Sequence, residues 1–267
     1  MTNEPDISPE KLCGIIKCFF DAYGINVRDT NGRYFSWKYC FDAFADINAG
    51  KDFLALHLGF YLASWGMYRG SSILLQKDYT IHKKAVRIVN RYHANLYRVA
   101  APPSKKISAI YGELESVYTI DGRTPSDTLI TKIMLGTLGC FPAFDRFFKA
   151  GARRVRFDAN VCLPYSVSQN NIEETAEILS EYYRANKDCF EKCAAHTGDL
   201  AACTPMKFLD LGIWCVGFYE SVAASGGRMK NANTRPFAEK DKRGGFGGER
   251  RLLFLFSGLF DGFFHGG

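Results

Sequence analysis

Three times in this chain a hydroxyl residue stands directly before proline at the head of an apolar segment: Ser8-Pro9, Thr124-Pro125 and Thr204-Pro205. A hydroxyl oxygen can accept from the free N–H groups of a helix start. Proline at the first helical position forfeits no bond, because that N–H has no partner within the helix. The pattern therefore commits the chain to helices at three widely spaced places. The stops are as plain. Gly24 follows the first segment, Asn31-Gly32 and Asp121-Gly122 read as turns, and Pro102-Pro103 ends a helix begun near Thr80.

Between these marks the apolar residues recur at helical spacing. Ser36 opens a segment through Trp37, Phe41, Phe44 and Ile47. Asp52 is expected to cap the apolar helix DFLALHLGFYLASWGMY, apolar nearly all round and so expected to be buried and central. Ile81, Val86, Val89, Tyr92 and Leu96 mark the next helix, and Ser104 starts a shorter one toward Tyr118. The helix opened at Thr124-Pro125 carries Leu129, Ile133, Met134, Leu138 and Cys140. Phe141-Pro142 then starts AFDRFFKA, which places Asp145 in a first turn and Gly151 just past the end. Residues 153–167 lack a helical period and read as an extended connection. Asn171 and Glu174 form a capping-box start to a long helix through Ile172, Ala176, Leu179, Tyr183 and Phe190. The last helix runs from Pro205 through Phe208, Leu211, Ile213, Val216 and Phe218. No segment alternates as strands do, and no repeat is found. The expectation is an all-α fold: one globular domain over residues 1–224, with about eight or nine helices.

Residues 225–267 differ. They hold ten of the 25 glycines, eight Lys/Arg against four Asp/Glu, and no helical stripe. They are expected to be disordered or a non-native extension, and they stand outside the fold argument. A single RGG-like segment binding single strands through charge and stacking is the alternative. The formal charge of +6 leaves the body, residues 1–224, near neutral, which argues against a broad nucleic-acid-binding face. The polar, acidic start MTNEPDISPEK has no apolar core to direct export, and nine cysteines is an odd number. Free thiols in the cytoplasm are the expectation. The longest apolar run, residues 53–67, is too short to span a bilayer, so no membrane partner is expected.

Nucleotide loops, HExxH, GxSxG and the kinase set are absent. No cofactor is assigned. Four features carry chemistry. Asp145 at a helix start sits where the free N–H groups stabilise a carboxylate; its plain role is to complement the helix or pair with Arg146 or Lys149. His57 on an apolar helix reads as a core residue, with a general base beside Asp145 as the alternative. Trp65-Gly66-Met67-Tyr68-Arg69-Gly70-Ser71-Ser72 reads as a helix break, or as a junction where Arg69 and Ser71 meet a phosphate. Cys189, Cys193, His196 and Cys203 have a spacing that could bring thiolates to one zinc ion. Buried thiols are the plainer reading, and no metal is assigned.

The run from Asp121-Gly122 through TKIMLGTLGCFPAFDRFF resembles the layout of helix-hairpin-helix DNA glycosylases: a glycine-bearing hairpin, a helix, a proline joint and an aspartate at the next helix start. The resemblance spans residues 121–151. It implies DNA as partner and Asp145 as the acid of a base-excising hydrolase, with the flipped base in a pocket beside it. Gly122 would stand in the DNA-contacting hairpin, and Arg69, Ser71 and Lys132 would contact the nucleic acid. DGRTP replaces the hairpin's Gly-x-Gly. Lys132 lies about one and a half helical turns beyond the place of the family's catalytic lysine, so the implied enzyme is monofunctional. The other class of reading is a non-catalytic helical protein that binds a partner.

Overall fold

In the computed structural model the described residues are 7–24, 33–158, 161–196 and 203–224. The expected turn at Asn31-Gly32 and the tail 225–267 lie outside them. Ten α-helices and one 3-10 turn make up the described chain: α1 Pro9–Gly24, α2 Arg33–Ala43, α3 Lys51–Ser64, the 3-10 turn Tyr79–His82, α4 Lys83–Leu96, α5 Ser104–Tyr118, α6 Asp127–Thr137, α7 Arg146–Ala152, α8 Ile172–Ala185, α9 Lys187–His196 and α10 Pro205–Ala224. Two short strands, β1 Arg156–Asp158 and β2 Val161–Cys162, pair antiparallel within the stretch expected to be extended. The fold is all-α. No helix among the described residues is long and apolar enough to cross a membrane.

Two of the three hydroxyl–proline starts form as expected. Ser8 Oγ accepts from Lys11 N and Thr204 Oγ1 from Lys207 N, each the third helical N–H. The other start is displaced. α6 begins at Asp127, and Ser126 caps it by accepting from Leu129 N. The long helix expected after Asn171 is broken at Asn186, and Asn171 accepts from Ser168 N instead of capping α8.

The central helix is α6, not α3. Every residue from Leu129 to Leu138 is buried. Its three polar members are reconciled locally: Thr131 and Thr137 donate to carbonyls one turn back, and Lys132 meets a carboxylate. α3 turns Leu54, Leu58, Tyr61 and Leu62 inward, whereas Phe53, Leu56 and Phe60 are 50%, 50% and 64% exposed. The Tyr61 ring packs against Gly136 of α6, where an added Cβ would come within 2.3 Å of it.

Candidate functional site

The chain between α6 and α7, residues 138–145, is held by side chains from both sides. Thr204 Oγ1 donates to Gly139 O at 2.7 Å, and Ala143 N donates to Asp210 Oδ1 at 3.0 Å. Phe144 N donates to Thr131 Oγ1 at 2.9 Å, while Thr128 Oγ1 donates to Phe144 O at 2.8 Å. Proline at position 142 prevents the segment from continuing as helix, so these bonds replace those a helix would supply.

Asp145 ends this segment as the N-cap of α7, one step before the first turn where it was expected. Its Oδ1 accepts from Phe147 N at 3.0 Å and Phe148 N at 3.1 Å; its Oδ2 accepts from Lys132 Nζ at 3.0 Å. Burial pushes its carboxyl up, but the Lys132 charge and the Phe148 and Phe147 N–H groups outweigh this and hold it below the usual range. Asp145 is therefore ionised at neutral pH. The expected partners are engaged elsewhere: Lys149 pairs with Asp127, and the Arg146 guanidinium lies 4.3 Å from the Phe147 ring.

A second buried pair stands beside the first. Lys207 and Asp210, one turn apart on α10, are joined at 2.8 Å with side chains 3% and 7% exposed. Lys132 Nζ lies 5.0 Å from the Trp65 ring centre and Lys207 Nζ 5.7 Å from it; Lys207 also faces Trp37 at 5.1 Å and Tyr34 at 5.7 Å. The two pairs line one cavity with Tyr34, Tyr61, Trp65 and Trp214. Its volume of ≈ 20 Å³ is room for a water molecule or two. Trp65, Asp145 and Trp214 are only half-buried and form its mouth. Burial, with the charges of Asp210 and Asp145, raises the Tyr61 hydroxyl well above its ordinary value, so it stays protonated.

Of the residues expected in a site, the structure brings together Asp145 and Lys132. Lys132, expected as a surface contact to phosphate, is buried instead, its side chain 5% exposed. Arg69, Ser71 and Gly122 do not line the cavity. The Trp65–Ser72 stretch is the helix break: Gly66 N donates to Ala63 O and Met67 N to Leu62 O, with Gly66 at φ +75. That is the hydrogen-bond pattern of a left-handed helix stop. The Arg69 guanidinium folds back over Gly66. His57 is half-buried beside Phe53 on the outer side of α3 and does not line the cavity either. The zinc set does not converge. Cys203 Sγ is 3.1 Å from Tyr34 Oη, and Cys189 meets Cys13; the His196 side chain lies outside the described residues. No group of three His, Cys, Asp or Glu among the described residues is placed to hold a metal.

Sequence reasoning missed Lys207 and Asp210. Their spacing of three on an apolar helix was the available signal, because a charged pair there must be buried together or not at all. It also missed His82, fully buried, with Nε2 2.6 Å from Tyr68 Oη and Nδ1 2.6 Å from Tyr118 Oη.

No protein-family model matches the chain, and no curated protein or solved structure matches it.

Proposed function

We propose that the cavity binds a small planar molecule rich in hydrogen-bond acceptors, of the nucleobase class. The observation that carries this is the pair of buried ammonium groups facing the Trp65 ring. Each spends one N–H on its own aspartate and has two more to offer, inside walls made of aromatic faces. A heterocycle would stack on Trp65 or Trp214, accept from Lys132 and Lys207, and donate to Asp145 or Asp210. A ring is larger than the present space, so its entry requires the half-buried Trp65 and Trp214 to swing outward.

Base excision by a DNA glycosylase-like hydrolase is the catalytic form of this proposal. It is supported by Asp145, an acid kept ionised at the mouth, which is the state that stabilises positive charge on a sugar as its base departs. Asp145 is then the residue that touches the sugar, and Lys132 positions it. The second reading, a non-catalytic partner-binding protein, is favoured by the exposed Phe53, Leu56 and Phe60 on α3.

The test is equilibrium binding of free nucleobases to the full chain, followed by abasic-site formation on oligonucleotides carrying damaged bases. Binding with excision that Asp145→Asn abolishes supports the enzyme. Binding without excision leaves a ligand-binding protein. Neither binding nor excision removes the proposal and leaves the α3 face as the functional surface.

A further inference from the structure

Cys13 of α1 and Cys189 of α9 are 176 residues apart in sequence, and their sulfur atoms lie 3.4 Å apart. Cys193, one turn along α9, reaches the same place and donates to Cys13 O at 3.5 Å. All nine cysteines are thiols in this structure. A disulfide needs its sulfurs at about 2.05 Å, so closing the Cys13–Cys189 gap takes a shift of roughly 1.4 Å, within the reach of small side-chain rotations. The three thiols are not equally accessible. Cys189 is half-buried, while Cys13 and Cys193 are 6% and 2% exposed. Hydrogen bonding with Cys193, then burial, raises the Cys13 thiol far above its ordinary value. The same bond draws Cys193 down, against burial and with help from the Lys17 charge.

We propose that Cys189 is a peroxide-reactive thiol and that Cys13 resolves it, forming a reversible disulfide between α1 and α9. The Cys189 thiol gives up its proton, its sulfur attacks one peroxide oxygen, the O–O bond breaks, and the departing hydroxide takes up that proton and leaves as water, with sulfenic acid remaining on Cys189. The Cys13 sulfur then attacks the Cys189 sulfur, an S–S bond forms, and the sulfenic hydroxyl departs with the Cys13 proton as a second water. The thiol pair loses two electrons, and peroxide gains them. Exposure selects Cys189 for the first step, and proximity selects Cys13 for the second. The bond would tie down α1, the helix that brings Phe19 to the wall of the cavity.

Tryptic cleavage makes the test unambiguous. Lys11, Lys17, Lys187 and Lys192 isolate Cys13 on residues 12–17 and Cys189 on residues 188–192, while Cys193 begins the following peptide. The full chain is treated with hydrogen peroxide, alkylated without reduction, digested and analysed by mass spectrometry. The expected result is a 12–17 to 188–192 crosslink that dithiothreitol removes, with two of the nine free thiols lost. Cys193→Ser should keep the crosslink, and Cys189→Ser should abolish it. Cys189 ending as sulfinic acid with Cys13 still alkylatable after denaturation, or a crosslink to Cys193 instead, would overturn the proposal.

Discussion

Gly151 of α7 and Gly217 of α10 meet backbone to backbone. A Cβ on Gly151 would lie 1.9 Å from Ile213 O, and one on Gly217 would lie 1.9 Å from Phe147 O. Gly151 is thus a packing residue inside α7 and not the helix stop that its position after AFDRFFKA suggests. The contact clamps the helix that Asp145 caps onto the helix that carries Lys207, Asp210 and Trp214. Neither clash can be relieved by turning a side chain, because the opposing atoms are carbonyls. Gly217→Ala is expected to cost about 3 kcal/mol or more, at the upper end of overpacking effects. Chemical denaturation checks this; a loss under about 1 kcal/mol would mean that the helices separate easily.

Breaking the Lys207–Asp210 pair on one side should be worse than removing its charge on both sides. Lys207→Met leaves a buried carboxylate without its cation and is expected to cost about 3–5 kcal/mol. Adding Asp210→Asn to it restores neutrality and keeps an oxygen to accept from Ala143 N, so most of the loss should be recovered. A double-mutant cycle by urea denaturation measures this. Additive losses would show that the pair is not coupled.

Asp145→Asn has two opposed effects. The amide oxygen can still accept from Phe147 N and Phe148 N, so capping is largely kept, but Lys132 loses its counter-charge inside the protein. The expected cost is about 2–3 kcal/mol, more than a surface cap would give. Lys132→Met in the same chain should return part of it. Thermal denaturation of the three variants checks the order.

His82 makes the fold acid-sensitive. Burial pushes its imidazole down to about 4 from an ordinary 6.5, partly offset by the Asp78 charge. Above pH 6.5 the ring is neutral in both folded and unfolded chains, and this stability is fully present. As pH falls from 6.5 toward about 4 the unfolded chain takes up a proton that the folded chain does not, so stability is lost, by about 3 kcal/mol across that interval. Asp145, whose carboxyl is held low, adds a further loss as pH falls below its ordinary 3.8. Denaturation midpoints should be nearly level from pH 7.5 to about 6.5 and then fall steadily to pH 4.5. His82→Gln, although less stable at pH 7.5, should show a much flatter profile.

The helix starts at Ser8 and Thr204 and the turn at Asp121-Gly122 were legible because each depends on local chemistry: a hydroxyl cap, a fixed proline φ, a positive φ at Gly122. The identity of the central helix was not. α3 is richer in apolar residues, yet α6 is buried on every side, because Thr131, Thr137 and Lys132 are satisfied there by partners the local sequence does not reveal. Asp145 stood out as an acid at a helix start. Lys132 is its partner only because the segment around Pro142 returns to α6, where Phe144 N donates to Thr131, and so sets Asp145 within reach of Lys132. Lys207, Asp210 and Trp214 share one face of α10 at helical spacing, but that this face meets Trp65 and the Lys132–Asp145 pair is set by packing that no local spacing shows.

All three tryptophans of the chain, Trp37, Trp65 and Trp214, line the cavity or face its lysines, so their fluorescence reports on it directly. The most direct measurement is a tryptophan fluorescence titration of the full chain with free nucleobases, alongside the Lys207→Met/Asp210→Asn protein as a folded, charge-balanced control. The account predicts a saturable change in the wild type, with affinity weakened about tenfold or more in the control, the equivalent of about 1.4 kcal/mol. No saturable change, or the same curve in both proteins, would contradict it.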